Sequence, residues 1–198
     1  MIKTIIFDYA GVISPTRDNY LFATKYADRF GVSPLALMEK TYKNWDEASL
    51  NHISSHQFWN DAGKELNISG DELEEMLIQT FPVDVRMVEL IKGLKGKYTI
   101  VMMSNQIDDW LEGEIDKYSL RDKFDYFLNS YQVGLKKPDS RIFELAVQKT
   151  GSSFEECLFI DDASKNVEQA KKLEMHTIQF DTYEQFMGEF NSITDSQY

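Results

Sequence analysis

The sequence predicts an α/β protein in which a doubly wound parallel sheet carries a helical cap. After Pro82, short apolar segments alternate with helical segments of about ten residues, which implies right-handed crossovers between parallel strands. Before Pro82, one strand of the fully buried type is followed only by helical signals. Ten Gly and four Pro in 198 residues are few, which favours long regular elements over a loop-rich architecture.

Local signals mark the first strand and the helices that follow it. The strand is expected over Lys3–Tyr9, where the apolar run is continuous rather than alternating, as in a strand buried on both faces. A helix is expected over Asn19–Phe30, because Gly31 closes it. Ser54 and Ser69 each begin a capping-box pattern. This region contains no convincing strand, and roughly four helices are expected in it.

The elements after Pro82 are expected to alternate between helix and strand. The expected helices lie near Val83–Leu94, Asp108–Tyr118, Ser140–Thr150, Ser164–Glu174 and Tyr183–Phe190, and the strands at Tyr98–Ser104, Tyr126–Asn129, Cys157–Asp161 and Thr177–Phe180. This pattern divides the chain into an α/β core of residues 1–14 and 82–198 and a helical cap of residues 15–81. The polar tail, residues 191–198, is expected to fray.

Charge and composition exclude several classes of partner. With 33 acidic and 21 basic residues the net charge is −12, so no nucleic-acid or anionic-membrane partner is expected. The single cysteine, Cys157, excludes an intramolecular disulfide and fits a reducing compartment. No stretch approaches the roughly 20 apolar residues of a membrane span, and the first apolar run is too short for a signal peptide. A cytoplasmic protein is expected.

Side chains capable of chemistry follow the apolar strands. Asp8 ends the first strand, Ser104 ends the second, and Asp161 and Asp162 end the strand that begins at Cys157. If these strands are neighbours, the four groups converge at the carboxyl edge of the sheet, where ligands of such folds bind. The order in which the strands pair is left open by the sequence.

Three carboxylates at one edge repel one another unless a cation lies among them. All the available ligands are oxygens, with no His or Cys nearby in sequence, so Mg²⁺ is favoured over Zn²⁺. Lys137, in the loop stiffened by Pro138, supplies a further positive charge. An approaching phosphate would therefore meet cations despite the acidic character of the whole chain.

Four segments in order resemble the motifs of the haloacid dehalogenase-like (HAD) hydrolase superfamily. They are IIFDYAGV, the strand ending in Ser104-Asn105, GLKKPDSRIF and FIDDASKNVEQAKKLEM. The order and spacing match from Met1 to about Phe180, which implies a HAD-like Rossmannoid core, and the helical insertion lies where many members carry their substrate-specificity cap.

The resemblance implies a role for each matching residue. Asp8 would be the nucleophile that forms an aspartyl-phosphate, Ser104 would hydrogen-bond the transferring group, and Lys137 would hold Asp8 and the phosphate charge in place. Ser104, Asn105 and Lys137 would contact the substrate.

The resemblance also implies a ligand set for Mg²⁺. Asp162 aligns with the direct ligand and Asp161 with its supporting neighbour, while Asp8 and the backbone carbonyl of Ala10 complete the protein's contribution. In most phosphatases of this superfamily the residue at position 10 is Asp, the general acid, and here it is Ala10. The substitution keeps the carbonyl and removes the proton donor.

Three interpretations follow. The first is a Mg²⁺-dependent phosphatase for a small phosphorylated metabolite, weakened by Ala10 or confined to good leaving groups. The second is a hydrolase that cleaves a carbon–phosphorus bond, because Asp-Tyr-Ala-Gly resembles the first motif of phosphonoacetaldehyde hydrolases, which use a cap lysine; Lys40 and Lys43 lie in this cap. The third is a catalytically impaired protein that binds a phosphate ligand or a partner.

2-Haloacid dehalogenases also lack the second Asp, but they act without metal and leave Asp161-Asp162 unexplained. A monomer or a homodimer is expected.

Other conspicuous residues are interpreted as structural. His52 and His56 are four apart, but Ser54 predicts a helix start between them, which argues against a metal pair. Tyr9, Tyr42 and Trp45 are candidates for the lining of the substrate pocket.

Overall fold

The fold, a computed structural model that describes residues 1–15 and 20–195, is built on a five-stranded sheet. The strands are β1 (Thr4–Phe7), β2 (Thr99–Ser104), β3 (Tyr126–Asn129), β4 (Cys157–Asp161) and β5 (His176–Gln179). They pair in the order β3-β2-β1-β4-β5, and every pairing is parallel. The predicted doubly wound α/β fold is therefore confirmed.

Helices connect the strands and cover the sheet. They are α1 (Tyr20–Phe30), α2 (Pro34–Tyr42), α3 (Trp45–Ser49), α4 (Ser55–Leu66), α5 (Gly70–Ile78), α6 (Val85–Leu94), α7 (Asp108–Lys117), α8 (Ser130–Val133), α9 (Ser140–Thr150), α10 (Ser164–Lys172) and α11 (Tyr183–Asp195). Helices α1 to α5 lie between β1 and α6, in the region where only helices were expected. Among the described residues they number five rather than four, because the short α3 has no sequence signal of its own.

Both faces of the central strands are buried. Ile5 and Phe7 of β1 join the hydrophobic cluster on one face, while Ile6 joins Val101 and Phe159 on the other. Because side chains alternate along a strand, a continuous apolar run is the pattern of a strand covered on both sides. This is why the sequence of β1 does not alternate.

Most predicted boundaries agree with the structure to within two residues, and two helix ends need correction. Helix α11 continues to Asp195 instead of ending at Phe190, so the expected fraying of residues 191–195 is wrong; Ile193 packs on the core and Thr194 is buried. Helix α10 ends at Lys172, because Glu174 adopts a left-handed conformation with φ of 65°. Asn19, the predicted first residue of α1, lies outside the described residues.

Serine caps set two of the helix starts, as predicted. Ser54 Oγ accepts a hydrogen bond from the Gln57 amide at 3.2 Å, and Ser69 Oγ accepts one from the Glu72 amide at 3.1 Å. Because α4 begins after Ser54, His52 lies outside the helix, where its Nδ1 is 2.8 Å from Glu47 Oε2. In the described residues His52 and His56 belong to no cluster suited to a metal.

Several hydrogen bonds hold the helical segment against the sheet-bearing part of the molecule. Lys117 Nζ and Tyr118 OH both donate to the Phe81 carbonyl, at 3.2 Å and 2.7 Å. Ser130 Oγ donates to the Ser49 carbonyl at 2.7 Å. The two hydrogen bonds to Phe81 hold the chain where it returns from the helices to α6. A search of the described helices finds none with the length and apolar character needed to cross a membrane.

Candidate active site

The strand order brings the predicted site residues together. Asp8 follows β1, Ser104 ends β2 and Asp161 ends β4, and both β2 and β4 are direct neighbours of β1. All three strands are parallel, so their carboxyl ends lie at the same edge of the sheet. The strand order that the sequence left open therefore places the ends of these three strands side by side.

Lys137 lies between two carboxylates at the centre of this edge. Its Nζ is 2.8 Å from Asp8 Oδ1 and 2.7 Å from Asp161 Oδ2, and the side chain is only 1% exposed. Burial alone would lower the pKa of Lys137, but the charges of Asp8 and Asp161 outweigh it and raise that pKa above its ordinary value. The lysine is held as a cation.

The surroundings of Asp8 disfavour the charged form of its carboxyl group. Burial raises the pKa of Asp8 to about 8; Lys137 acts in the opposite direction, and the charges of Asp161 and Asp162 add to the rise. One lysine therefore does not balance the three carboxylates. A site with excess negative charge on oxygen ligands is suited to a hard cation.

The carboxylates fit a divalent ion, and they divide into two kinds. Asp8, Asp161 and Asp162 each offer an oxygen, and these atoms all lie within 4.8 Å of one another. Asp161 is already engaged: Asn166 Nδ2 donates to both of its oxygens at 3.0 Å, and the Ala163 amide donates to Oδ1 at 2.9 Å. This arrangement suits Asp8 and Asp162 as direct ligands and Asp161 as a supporting group.

Gly11 makes the close approach of Asp162 possible. A Cβ at position 11 would lie 2.4 Å from Asp162 Cγ, and the backbone there has φ of +91°, which favours glycine. The loop that follows β1 therefore packs its backbone directly against the carboxylate. A side chain at this position would displace Asp162.

Ser104 and Asn105 have different surroundings. Ser104 Oγ is buried and has no hydrogen-bond partner among the described residues, which suits a hydroxyl that awaits a ligand. Asn105 binds the backbone of Lys137 reciprocally, since Nδ2 donates to the Lys137 carbonyl and the Lys137 amide donates to Oδ1, both at 2.9 Å. The structure thus gives Asn105 a positioning contact, and the substrate contact predicted for it stays a prediction.

Sequence reasoning missed two buried contacts, one on Asp161 and one on Tyr9, the neighbour of Asp8. Asn166 holds Asp161 from the first turn of α10, and its position five residues after Asp161 at the start of a helix was an available signal. Glu114 is fully buried on α7 and accepts a hydrogen bond from the Tyr9 hydroxyl at 2.5 Å. The pairing of Tyr9 with Glu114 across 105 positions had no sequence signal.

A small cavity lies against Ala10, two residues after Asp8 in the chain, and is called the Ala10 cavity. It is lined by Ala10, Ser14, Tyr42, Trp45, Leu77, Phe81, Gln106 and Trp110. Of the three residues named as candidates for a substrate pocket, Tyr42 and Trp45 line this cavity and Tyr9 does not; their contact with substrate stays a prediction. About 20 Å³ is open to the centre of a water molecule, which is room for roughly one water.

A doubly wound sheet that holds three carboxylates and a buried lysine at its carboxyl edge is the architecture of HAD-fold enzymes. The chain belongs to the haloacid dehalogenase-like hydrolase family, whose family model matches residues 2–173. It is therefore a hydrolase of that family.

Relatives of known activity and solved structures agree with this assignment. A D-ribitol-5-phosphate phosphatase from Bacteroides thetaiotaomicron is 28% identical over 194 residues, covering 90% of this chain and 92% of that protein. A sesquiterpene phosphatase from Aspergillus oryzae is 27% identical over 142 residues, covering 67% of this chain and 70% of that protein. The crystal structure of a HAD family enzyme from Bacteroides thetaiotaomicron, in complex with magnesium and inorganic phosphate, has a TM-score of 0.80 at 19% identity and covers 96% of this chain and 100% of that one.

Proposed function

We propose that this hydrolase is a Mg²⁺-dependent phosphatase that acts on a small phosphorylated metabolite through an aspartyl-phosphate on Asp8. The observation that carries the proposal is the buried Lys137, 2.8 Å from Asp8 and 2.7 Å from Asp161 at the carboxyl edge of the sheet. The two related phosphatases support the reaction class. They act on dissimilar substrates, so the reaction class is what they share.

The reaction is proposed to proceed in two displacements. A carboxylate oxygen of Asp8 attacks phosphorus, an oxygen–phosphorus bond forms, and the bond from phosphorus to the leaving group breaks with its electron pair. Water then attacks phosphorus, the bond from phosphorus to the Asp8 oxygen breaks with its electron pair, and the proton that the water loses leaves with the inorganic phosphate or to solvent, which restores the Asp8 carboxylate. Lys137 holds Asp8 in place and offsets the charge of the phosphoryl group, while the Ser104 hydroxyl hydrogen-bonds one of its oxygens.

Mg²⁺ would be held by Asp8, Asp162 and the Ala10 backbone carbonyl, with Asp161 supporting the site. When bound, the ion would neutralise phosphate charge and polarise the phosphoryl oxygens. The packing of Asp162 against Gly11 and the engagement of Asp161 by Asn166 support this division of roles.

Ala10 limits which leaving groups can depart. No general acid stands at position 10, so the alkoxide of an ordinary phosphate ester would leave without a proton, and general acid help of this kind is worth about 10²- to 10⁴-fold. Acyl and aryl phosphates need less help because their leaving groups are weak bases. We propose that these react faster than alkyl phosphates.

The carbon–phosphorus hydrolase alternative loses support from the placement of the cap lysines. Among the described residues no lysine lines the Ala10 cavity, and Lys40 Nζ lies 3.3 Å from Glu65 Oε2 on the surface. A Schiff base with a substrate held beside Ala10 would need a lysine in that cavity. The alternative of an impaired binding protein is distinguished from the phosphatase by measuring whether the protein hydrolyses phosphate compounds.

The test compares acetyl phosphate, p-nitrophenyl phosphate and phosphonoacetaldehyde, with Mg²⁺ and with a chelator. Wild type is expected to hydrolyse the first two only with Mg²⁺, and Asp8→Asn to be inactive. Turnover of phosphonoacetaldehyde alone would replace the phosphatase proposal with the alternative. Phosphate release no faster than with Asp8→Asn would favour the impaired binder.

The cellular setting is also proposed. The free thiol of Cys157 is buried and the chain is strongly acidic, which supports a reducing, cytoplasmic location without nucleic-acid or membrane partners. A monomer or a homodimer is compatible with this proposal.

A further inference from the structure

Tyr9, the residue directly after Asp8, connects the proposed nucleophile to helix α7. Its side chain is fully buried, and its hydroxyl donates a hydrogen bond to Glu114 Oε2 at 2.5 Å. Glu114 is itself fully buried on α7. Burying a carboxyl group is unfavourable for folding, and an apolar pair of the same shape is often as stable. Packing alone therefore does not account for a carboxyl group at position 114.

The backbone of Tyr9 holds the carboxylate of the proposed nucleophile and the turn behind it. Its amide donates a hydrogen bond to Asp8 Oδ1 at 2.7 Å. Its carbonyl accepts hydrogen bonds from the amides of Ile13 and Ser14, both at 2.9 Å. These bonds organise residues 9–14 into one turn, here called the nucleophile turn.

The nucleophile turn also carries other contacts of the proposed metal site. The Ala10 carbonyl, a proposed ligand, belongs to it, and Gly11 packs its backbone against Asp162. Because one short turn contains these groups, a change in the orientation of Tyr9 would move the Ala10 carbonyl and the amide that contacts Asp8 together. The anchor of the Tyr9 side chain is therefore placed to control the geometry of the site.

Helix α7 provides a firm base for that anchor. Lys117 Nζ lies 3.6 Å from Glu114 Oε1 and donates a hydrogen bond to the Phe81 carbonyl at 3.2 Å. A Cβ added to Gly113 would overlap Ile78 Cδ1, so α7 and α5 approach closely at this point. Contacts that do not involve the nucleophile turn thus hold the helix that carries Glu114.

A ring contact places Tyr9 against the same face of α7. The rings of Tyr9 and Trp110 pack edge-on with centroids 5.7 Å apart, and Trp110 lies four residues, or about one turn, before Glu114. The ring contact restrains the position of the side chain, and the hydrogen bond adds a directional contact at its end. Replacing Tyr9 by Phe keeps the ring and removes only the hydrogen bond.

We infer that Glu114 is a positioning residue that acts through the Tyr9 hydroxyl to orient the nucleophile turn, and with it the Asp8 carboxylate and the Ala10 carbonyl. The roles of Asp8 and Ala10 come from the proposed function, on which this inference rests. Buried partners that orient metal ligands are worth about 10- to 100-fold in metal affinity or activity. Glu114 acts through Tyr9 and not on the ester itself, so its loss affects Mg²⁺ affinity and kcat more than the KM for the ester.

The experiment measures Mg²⁺ binding by calorimetry and the hydrolysis of p-nitrophenyl phosphate at saturating Mg²⁺. The double variant Tyr9→Phe/Glu114→Leu removes both partners of the hydrogen bond, so neither is left buried and unpaired, and the fold is expected to be kept. We expect the Kd for Mg²⁺ to rise and kcat to fall by at least about tenfold each. The KM for the ester should change by less than about twofold.

Glu114→Gln tests rescue by a conservative change, because its amide oxygen can still accept the hydrogen bond from the Tyr9 hydroxyl. Its Mg²⁺ affinity should stay within about threefold of wild type. Tyr98→Phe is the matched control, since Tyr98 is another buried tyrosine but precedes β2 at the opposite, amino edge of the sheet. It should leave both Mg²⁺ binding and kcat unchanged.

Two results would overturn the positioning role. One is wild-type Mg²⁺ affinity and kcat in the folded double variant, with folding checked by urea unfolding. The other is an equal loss in Glu114→Gln and in the double variant, because the hydrogen bond would then not be the cause. Tyr9→Phe alone, which removes one oxygen atom, supplies the same comparison if the double variant does not fold.

The two readouts separate this inference from the proposed function. Hydrolysis of p-nitrophenyl phosphate by wild type, combined with unchanged Mg²⁺ binding and kcat in the double variant, would leave the phosphatase standing and remove the positioning role. Weaker Mg²⁺ binding in the double variant, combined with no hydrolysis of any phosphate by wild type, would do the reverse. A wild-type protein that binds no Mg²⁺ would overturn both.

Discussion

The side chain at position 10 stands two residues after Asp8, the proposed nucleophile, so the chemistry of this one residue bears directly on the proposed reaction. Ala10→Asp is expected to raise hydrolysis of alkyl phosphates by about 10²- to 10⁴-fold, because the new carboxyl group can protonate the leaving oxygen. Hydrolysis of p-nitrophenyl phosphate should change little, since its leaving group needs no proton. Steady-state kinetics on both ester types measures the difference.

Ala10→Asn is the control for that gain. It has nearly the same size and hydrogen-bonding capacity as Asp, but it has no proton to donate at neutral pH. An equal increase with Asn would assign the effect to packing or substrate contact instead of acid catalysis.

Glu114 is the second residue whose chemistry can be tested alone. Burial raises the pKa of Glu114 to about 7, against the opposing effects of the Tyr9 hydroxyl and of Lys117, whose Nζ lies 3.6 Å from Oε1. The folded state therefore holds a proton between pH 4.5 and about 7 that the unfolded state has lost, so folding stability falls as pH rises through this window. Glu114→Gln removes this dependence.

Glu114→Gln is accordingly expected to gain stability relative to wild type as pH rises from about 5 to 7.5, by up to about 3 kcal/mol. Urea unfolding at both pH values measures the difference. Glu89→Gln, which alters an exposed carboxylate on α6, should show the same stability change at both pH values. A Glu114→Gln difference that does not vary with pH would mean that this carboxyl group is ionised throughout.

At the scale of elements, the loop after β1 packs its backbone against Asp162. Gly11→Ala is expected to weaken Mg²⁺ binding by at least about tenfold, because the new Cβ would overlap Asp162 Cγ and move a proposed ligand. It should also lose about 1 kcal/mol of folding stability, because φ there is +91°. Calorimetric titration with Mg²⁺ and urea unfolding measure the two effects.

Gly96→Ala separates the effect of the backbone conformation from the effect of the contact with Asp162. Gly96 has φ of +86° but nothing lies within 4 Å of an added Cβ, so the backbone cost is similar and no site is touched. It should lose stability and keep Mg²⁺ affinity. Equal affinity in both variants would show that Gly11 acts only through the backbone.

Local sequence patterns were sufficient to predict the boundaries of some elements. Strand β4 and helix α9 have the predicted boundaries, because their apolar periodicity and flanking caps act over a few residues. The end of α11 was wrong, because Ile193 and Thr194 are held by packing on the core, which a polar tail sequence does not reveal. The division into core and cap at residues 14 and 82 stays a prediction.

At the scale of the whole molecule, Mg²⁺ binding should stabilise the fold, since Lys137 alone does not balance the charge of the three clustered carboxylates. A ligand that binds only the folded state at a hundredfold excess over Kd adds about 2.7 kcal/mol. The expected outcome is a rise of several degrees in the thermal midpoint, measured by calorimetry or fluorescence. Asp162→Asn should abolish most of this rise.

Asp122→Asn provides the comparison, because that carboxylate is 85% exposed and distant in sequence from the site. It should respond to Mg²⁺ as wild type does. An identical rise in Asp162→Asn would place the stabilising ion elsewhere on this acidic protein.

The fold class and the residues that end the central strands follow from the amino-acid sequence alone, because both depend on apolar runs and on neighbours within a few positions. The sequence also identified the motifs that carry the family resemblance, including the missing acid at Ala10. Strand order and packing were needed to place Lys137, buried, between Asp8 and Asp161, and to bring Asn166 onto Asp161. These contacts join residues far apart in the chain, so they depend on strand order and side-chain packing, which no local pattern contains.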